Sequence, residues 1–130
     1  MSNRFRRIAC FGFIAYAIIL FVATHKPGVQ VNVVPGIRLD LFIHMAAFGM
    51  WTVLLGLTGW LPDPRRATGL AVLMAVGVGY AVIDESSQAL PIFDRVFDLA
   101  DMTANALGAA AAALGVFVVF RTRTRREPEA

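Results

Sequence analysis

Three groups of ionisable and amide side chains interrupt the most apolar stretches of this 130-residue chain: Asp40 with His44, Asp84 and Glu85 with Gln88, and Asp98 with Asp101 and Asn105. A carboxylate beside a histidine can exchange protons. Carboxylates gathered with amides can accept from hydroxyls or hold a hard cation such as Mg²⁺ or Ca²⁺. An ionisable group at membrane depth costs roughly 2.5–3.5 kcal/mol on insertion scales, so it persists where it faces a bundle interior or a wet cavity. The elements carrying these residues must therefore bring them together and away from lipid.

Composition sets the surroundings. The chain is 58% hydrophobic and only 16% charged, with a mean hydropathy of +0.66, which leaves too little polar surface for a soluble fold and makes a bilayer the natural solvent. The net charge of +3 comes from arginines grouped at segment ends, without the interleaved aromatics of a nucleic-acid surface, so no nucleic-acid partner is expected. The single cysteine, Cys10, lies in the first apolar run and reads as a packing residue.

Four segments suffice to cross a hydrocarbon core of about 30 Å: about 8–24, 38–60, 67–90 and 98–120. The first follows Arg4, Arg6 and Arg7 and lacks a small-x-small cleavage pattern, so it reads as a retained helix and not a leader. Pro27-Gly28, Pro35-Gly36, Pro62, Pro64 and Pro91 mark the breaks. Between the first two, Val29, Val31 and Val33 alternate with Gln30 and Asn32 in a strand-like pattern suited to lying flat at an interface. The expected architecture is an all-α bundle of four transmembrane helices forming one domain over residues 1–130.

Basic residues flank the helices unevenly. Arg4, Arg6, Arg7, Arg65, Arg66, Arg121, Arg123, Arg125 and Arg126 fall on one side, against Lys26, Arg38 and Arg95 on the other. The asymmetry predicts that both termini are cytoplasmic. All three polar groups then sit in the outer leaflet. At about 100° per residue, Asp98, Asp101, Asn105 and Gly108 share an arc of about 80°; Tyr80, Asp84 and Gln88 form a second stripe with Glu85 at its shoulder, and Asp40, His44 and Phe48 a third. Three polar stripes on three helices predict one shared pocket. Ala104, Gly108, Ala112 and the run Ala109–Ala113 give the fourth helix a small-residue face, where a homodimer is expected.

Some residues have simpler uses. Asp98 suits the N-cap of the fourth helix, Tyr80, Phe48, Trp51 and Trp60 suit core or interfacial packing, and His25 beside Lys26 suits the interface. His44, Glu85 and Asp101 have no such explanation.

The pattern Asp40-x-x-x-His44-x-x-x-Phe48, then Tyr80 ahead of Glu85-x-x-Gln88, then Arg95-x-x-Asp98-x-x-Asp101-x-x-x-Asn105-x-x-Gly108 resembles the VanZ-like family of small bacterial membrane proteins, over about residues 38–115. The family's Asp is often followed by Lys. Leu41 stands here instead, so any contact that the lysine makes with an anionic ligand would pass to Arg38 or Arg95. The resemblance implies a multi-pass protein of the bacterial inner membrane and a link to resistance against teicoplanin, a glycopeptide with a fatty tail.

Two functional classes follow, with a structural alternative. In the first, Asp40, His44, Asp84, Glu85, Gln88, Arg95, Asp101 and Asn105 line an outer-leaflet pocket for a membrane lipid or lipid-linked amphiphile. There Arg95 meets a phosphate or carboxylate and the acids and amides accept from hydroxyls. In the second, the protein is an enzyme acting on a lipid head group, with His44, Glu85 or Asp101 in proton transfer and Asp84, Glu85 and Asp101 holding a divalent cation. No nucleophile elbow, His-rich metal spacing or phosphate-cradling glycine loop supports catalysis, so binding ranks first. In the structural alternative the groups only join helices, with Arg95 paired to Asp98 or Asp84, His44 to Glu85, and Asn105 bridging backbone.

Overall fold

The computed structural model describes residues 2–26, 38–93 and 95–124. Among them the chain forms α1 (Asn3–His25), α2 (Leu39–Thr58), α3 (Ala67–Gln88), a 3-10 turn at Pro91–Phe93 and α4 (Leu99–Thr124), with no strand. The strand-like segment 29–33 lies outside the described residues. All four α-helices are long and apolar enough to cross a membrane. The shortest has 20 residues and at about 1.5 Å per residue reaches about 30 Å.

The helices sit where the sequence places them, and their ends differ for local reasons. α1 begins at Asn3 and not near residue 8, because the Ser2 hydroxyl accepts from the Phe5 amide at 3.3 Å and arginine is a good helix former. α4 likewise continues beyond residue 120 into its basic end. α2 stops at Thr58 because Gly59 takes φ 72°, the left-handed C-cap conformation that a side chain would strain.

α2, α3 and α4 form the closely packed part of the bundle. A methyl added at Gly108 of α4 would run into the Met45 carbonyl of α2, and one added at Gly49 of α2 would meet the Gly108 oxygen at 3.3 Å. On α3, the same addition at Gly77 would meet Thr52 of α2 at 2.8 Å and Ala109 of α4 at 3.2 Å. Ala104, Ala109 and Ala113 are buried. Ala104, Gly108, Ala109 and Ala113 of α4's small-residue face therefore pack against α2 and α3 of the same chain.

α1 docks more loosely, through α2. Phe13 packs edge-on to Trp51 and Trp60, at 5.2 and 5.5 Å between ring centres, while Trp51 stacks on Tyr80 at 4.3 Å. These aromatics serve packing. Arg6 Nε donates to the Thr58 carbonyl, and the Tyr16 hydroxyl donates to the Ala47 carbonyl at 3.0 Å. Beyond Tyr16, Leu20, Ala23 and Thr24 line a cavity between α1 and α2. Phe11, Ile18, Ile19 and Ile83 point outward and are exposed, as lipid-facing side chains would be.

The close crossing at Gly108 gives a stability test. Gly108→Ala should lower the melting temperature in detergent, with overpacking worth about 1–3 kcal/mol. Gly79→Ala, where an added methyl meets nothing within 4 Å, should leave it unchanged or raised; equal behaviour of the two variants would refute the close α2–α4 contact.

Candidate functional site

The polar residues gather at one end of the bundle, where α1 and α3 finish and α2 and α4 begin. Helix direction accounts for some of them. Asp40 and Asp101 lie in the first turns of α2 and α4 and Asp98 caps α4, so all three face the positive end of a helix dipole. Asp84 and Glu85 are placed against that preference, in the last turn of α3, and both are almost fully buried. Their partners must come from elsewhere.

Gln88, one turn on, supplies the first. Its Nε2 donates to Asp84 Oδ2 at 3.1 Å and Glu85 Oε2 at 3.3 Å, one amide nitrogen serving two carboxylates. Glu85 Oε1 then accepts from the Asp98 backbone amide at 2.9 Å, on the residue that caps α4. This is the task a capping-box glutamate performs within its own helix, supplied here from α3. Asp84 turns the other way and accepts from the Thr24 hydroxyl at 3.2 Å, with His25 Nδ1 at 3.9 Å.

His25 is buried and not at an interface as the sequence suggests. Its ring stacks on Phe21 at 4.0 Å between centres, and Phe93 meets it edge-on at 4.5 Å. Nδ1 lies 2.9 Å from the Phe21 carbonyl and 3.0 Å from the Thr24 hydroxyl. Nε2 lies 2.8 Å from Ser87 Oγ, and that hydroxyl lies 2.7 Å from the Asp84 carbonyl. Thr24, His25 and Ser87 are the residues sequence reasoning missed. The available signal was a histidine in the last turn of one helix at the bundle end where another helix finishes with two acids.

A second set surrounds Arg38, just ahead of α2. Its guanidinium reaches Asp40 at 2.8 Å, Asp101 at 3.1 Å and Asp98 at 3.3 Å, clasping the start of α2 to the start of α4. The hydrogen bond to Asp40, followed by the nearby charges, raises the guanidinium's proton affinity above its ordinary value. The Asp98 carboxyl is held below the ordinary aspartate range, first by the Ala100 amide at 2.7 Å and then by Arg38. Asp98 therefore is the α4 cap and also joins the clasp. His44 completes the set: Nδ1 bonds Asn105 Oδ1 at 3.0 Å, and Nε2 faces Asp101 at 3.6 Å.

Several pairings differ from expectation. Arg95 pairs with neither Asp98 nor Asp84, and Arg38 takes that part; His44 meets Asp101 and Asn105 and not Glu85; Asn105 bridges to His44 and not to backbone. Of the proposed metal set, Asp84 and Glu85 share Gln88, whereas Asp101 turns to Arg38 and His44. Among the described residues no three His, Cys, Asp or Glu side chains converge as metal ligands.

Beside this network lies a cavity of about 590 Å³. Arg38, Asp40, His44, Arg95, Asp98 and Asp101 line it with polar and charged groups, and Leu20, Ala23, Ile43, Ala47 and Phe48 with apolar ones. Among the described residues Arg95 enters no ion pair; its Nη1 donates only a long bond, 3.5 Å, to the Lys26 carbonyl. Asp40, His44, Arg95 and Asp101 thus share the cavity, whereas Asp84, Glu85, Gln88 and Asn105 stand behind it and hold its walls. The chain matches no protein-family model, no curated protein and no solved structure.

Two outcomes follow. His25→Phe preserves the aromatic stack but strips the ring's hydrogen bonds and its contact with Asp84, so stability in detergent should drop by roughly 2 kcal/mol. Adding Asp84→Asn should recover part of that loss, and strictly additive effects would show that the two residues do not interact. Asp98→Ala should cost about 1 kcal/mol as a lost cap. Because the folded state lowers the Asp98 proton affinity, its contribution is complete above the ordinary aspartate range and fades as pH falls through the depressed value. The gap in melting temperature between parent and Asp98→Ala should therefore close in acid; a gap that widens there would contradict the assignment.

Proposed function

We propose that this protein binds the head group of an amphiphile at one face of a membrane, with the tail lying along the apolar side chains that α1 and α2 give the cavity. The observation that carries this is the cavity and its mixed lining. Its volume falls in the roughly 300–1,000 Å³ range of small-molecule sites, charged and apolar side chains both line it, and the Arg95 guanidinium that lines it has no carboxylate partner among the described residues. Arg95 supplies the anion contact, since Arg38 is already occupied by three carboxylates.

The order and spacing of Asp40, His44, Glu85, Gln88, Arg95, Asp98, Asp101, Asn105 and Gly108 support placing the chain with the VanZ-like family. On that reading it is a multi-pass protein of the bacterial inner membrane with both termini cytoplasmic. The cavity then opens toward the outer leaflet, where lipid-linked envelope intermediates and fatty-tailed glycopeptides such as teicoplanin are met. A catalytic reading rests on one feature: His44 lines the cavity, Asn105 fixes its Nδ1, and Nε2 is left to exchange a proton beside Asp101.

Native mass spectrometry of the purified protein with phosphatidylglycerol in mixed micelles tests the binding. Arg95→Ala should weaken the lipid's affinity roughly ten-fold, and the parent's affinity should fall with added salt more steeply than the variant's. Equal affinities with equal salt dependence would remove Arg95 from the site. Loss of turnover of a lipid head group in His44→Gln, with binding retained, would decide for the catalytic reading.

A further inference from the structure

The charges around the cavity do not balance. Asp40, Asp98 and Asp101 all rest on the single Arg38 guanidinium, and His44 is the one other basic side chain touching them among the described residues. With all three carboxyls ionised, the cluster keeps one negative charge in excess even when His44 is protonated. One carboxylate oxygen, Asp40 Oδ1, is buried and has no hydrogen-bond partner among the described residues. Arg95 lines the same cavity yet is bonded to none of the three acids. Positive and negative surplus therefore line the same cavity without pairing with each other.

We propose that the amphiphile taken by this cavity carries a primary ammonium as well as an anionic group: a zwitterionic head group whose phosphate meets Arg95 and whose amine meets the Asp40–Asp98–Asp101 cluster. This rests on the binding reading above and narrows it to a ligand class. A primary ammonium brings three N–H donors, enough to reach carboxylates that Arg38 satisfies only in part. A metal ion fits less well, because a guanidinium already occupies the point between the acids and no three acidic, His or Cys side chains among the described residues are placed as metal ligands. A quaternary ammonium matches the charge but donates no hydrogen bond. The apolar side chains of Leu20, Ala23, Ile43 and Ala47 then take the start of the tail.

Native mass spectrometry of the intact protein in mixed micelles tests this with four probes: phosphatidylethanolamine, its N-acetylated form, phosphatidylcholine and phosphatidylglycerol. The unmodified protein should bind phosphatidylethanolamine roughly ten-fold more tightly than the other three. Water-soluble phosphoethanolamine should bind far more weakly than the lipid, and equal binding would overturn the role of the tail. Asp40→Asn should reduce the preference for the amine while Arg95→Ala weakens every probe. Because Asp40→Asn also disturbs the clasp, the comparison of lipids on the unmodified protein decides the matter without it. If phosphatidylethanolamine and phosphatidylglycerol bind equally, the amine proposal fails and the binding reading stands; if none of the lipids binds, both fail.

Discussion

Two adjacent carboxylates buried at the wrong end of a helix constrain everything else in this bundle. Asp84 and Glu85 lie in the last turn of α3, where the helix dipole opposes negative charge and little water reaches. Leaving either unpaired would cost several kcal/mol. Gln88 partly satisfies both, after which each needs a donor from a different helix. Asp84 draws Thr24 and His25 of α1, and Glu85 draws the first free amide of α4. The requirement to satisfy one dipeptide thereby sets where α1 ends and where α4 starts relative to α3.

The cavity follows from that arrangement. With the start of α4 fixed by Glu85, Asp98 and Asp101 are presented to Arg38 and His44 at the start of α2, and the clasp closes across two helix N-termini. Below it, glycines 49, 77 and 108 let α2, α3 and α4 approach until side chains meet backbone. In lipid this close packing takes over the part that the hydrophobic effect plays in water. α1 has no such glycine contact. It is held by Tyr16 and the aromatic group around Phe13 toward one end and by the Asp84 network at the other. Between those two attachments, Leu20, Ala23 and Thr24 face the cavity.

Much of this was legible in the residues. Apolar run lengths and prolines place four helices, and breaks at both ends put the three polar groups at a common level. Spacing alone puts Asp98, Asp101 and Asn105 on one side of α4. The pairings were not legible, because they depend on how each helix is rotated about its axis against its neighbours, and no single helix records that rotation. Arg38 and Arg95 look equivalent in sequence, yet one is enclosed by three acids and the other pairs with none among the described residues. His25 was hidden by the Lys26 and Pro27 that follow it, which read as the usual edge of a membrane span. The small residues of α4 were read as an external face, although the same composition serves equally for the internal approach of α2.

Helix polarity changes what the opening pattern means. Three of the five acids, Asp40, Asp98 and Asp101, stand at helix N-termini, where a carboxylate is favoured before any ligand is considered. They are therefore not costly anomalies individually, and a bundle could keep one or two of them for folding alone. What folding does not require is that all three converge on a single guanidinium while a second guanidinium, close enough to line the same cavity, is left out of the cluster. Arg95 reaching Asp98 would neutralise the excess, and the chain does not use that solution. Asp84 and Glu85, by contrast, are expensive and are met by donors from within the chain. The two acid groups thus differ in kind: the buried pair on α3 is satisfied from within the chain and fixes the helices, whereas the imbalance around Arg38 is the basis of the proposed ammonium contact.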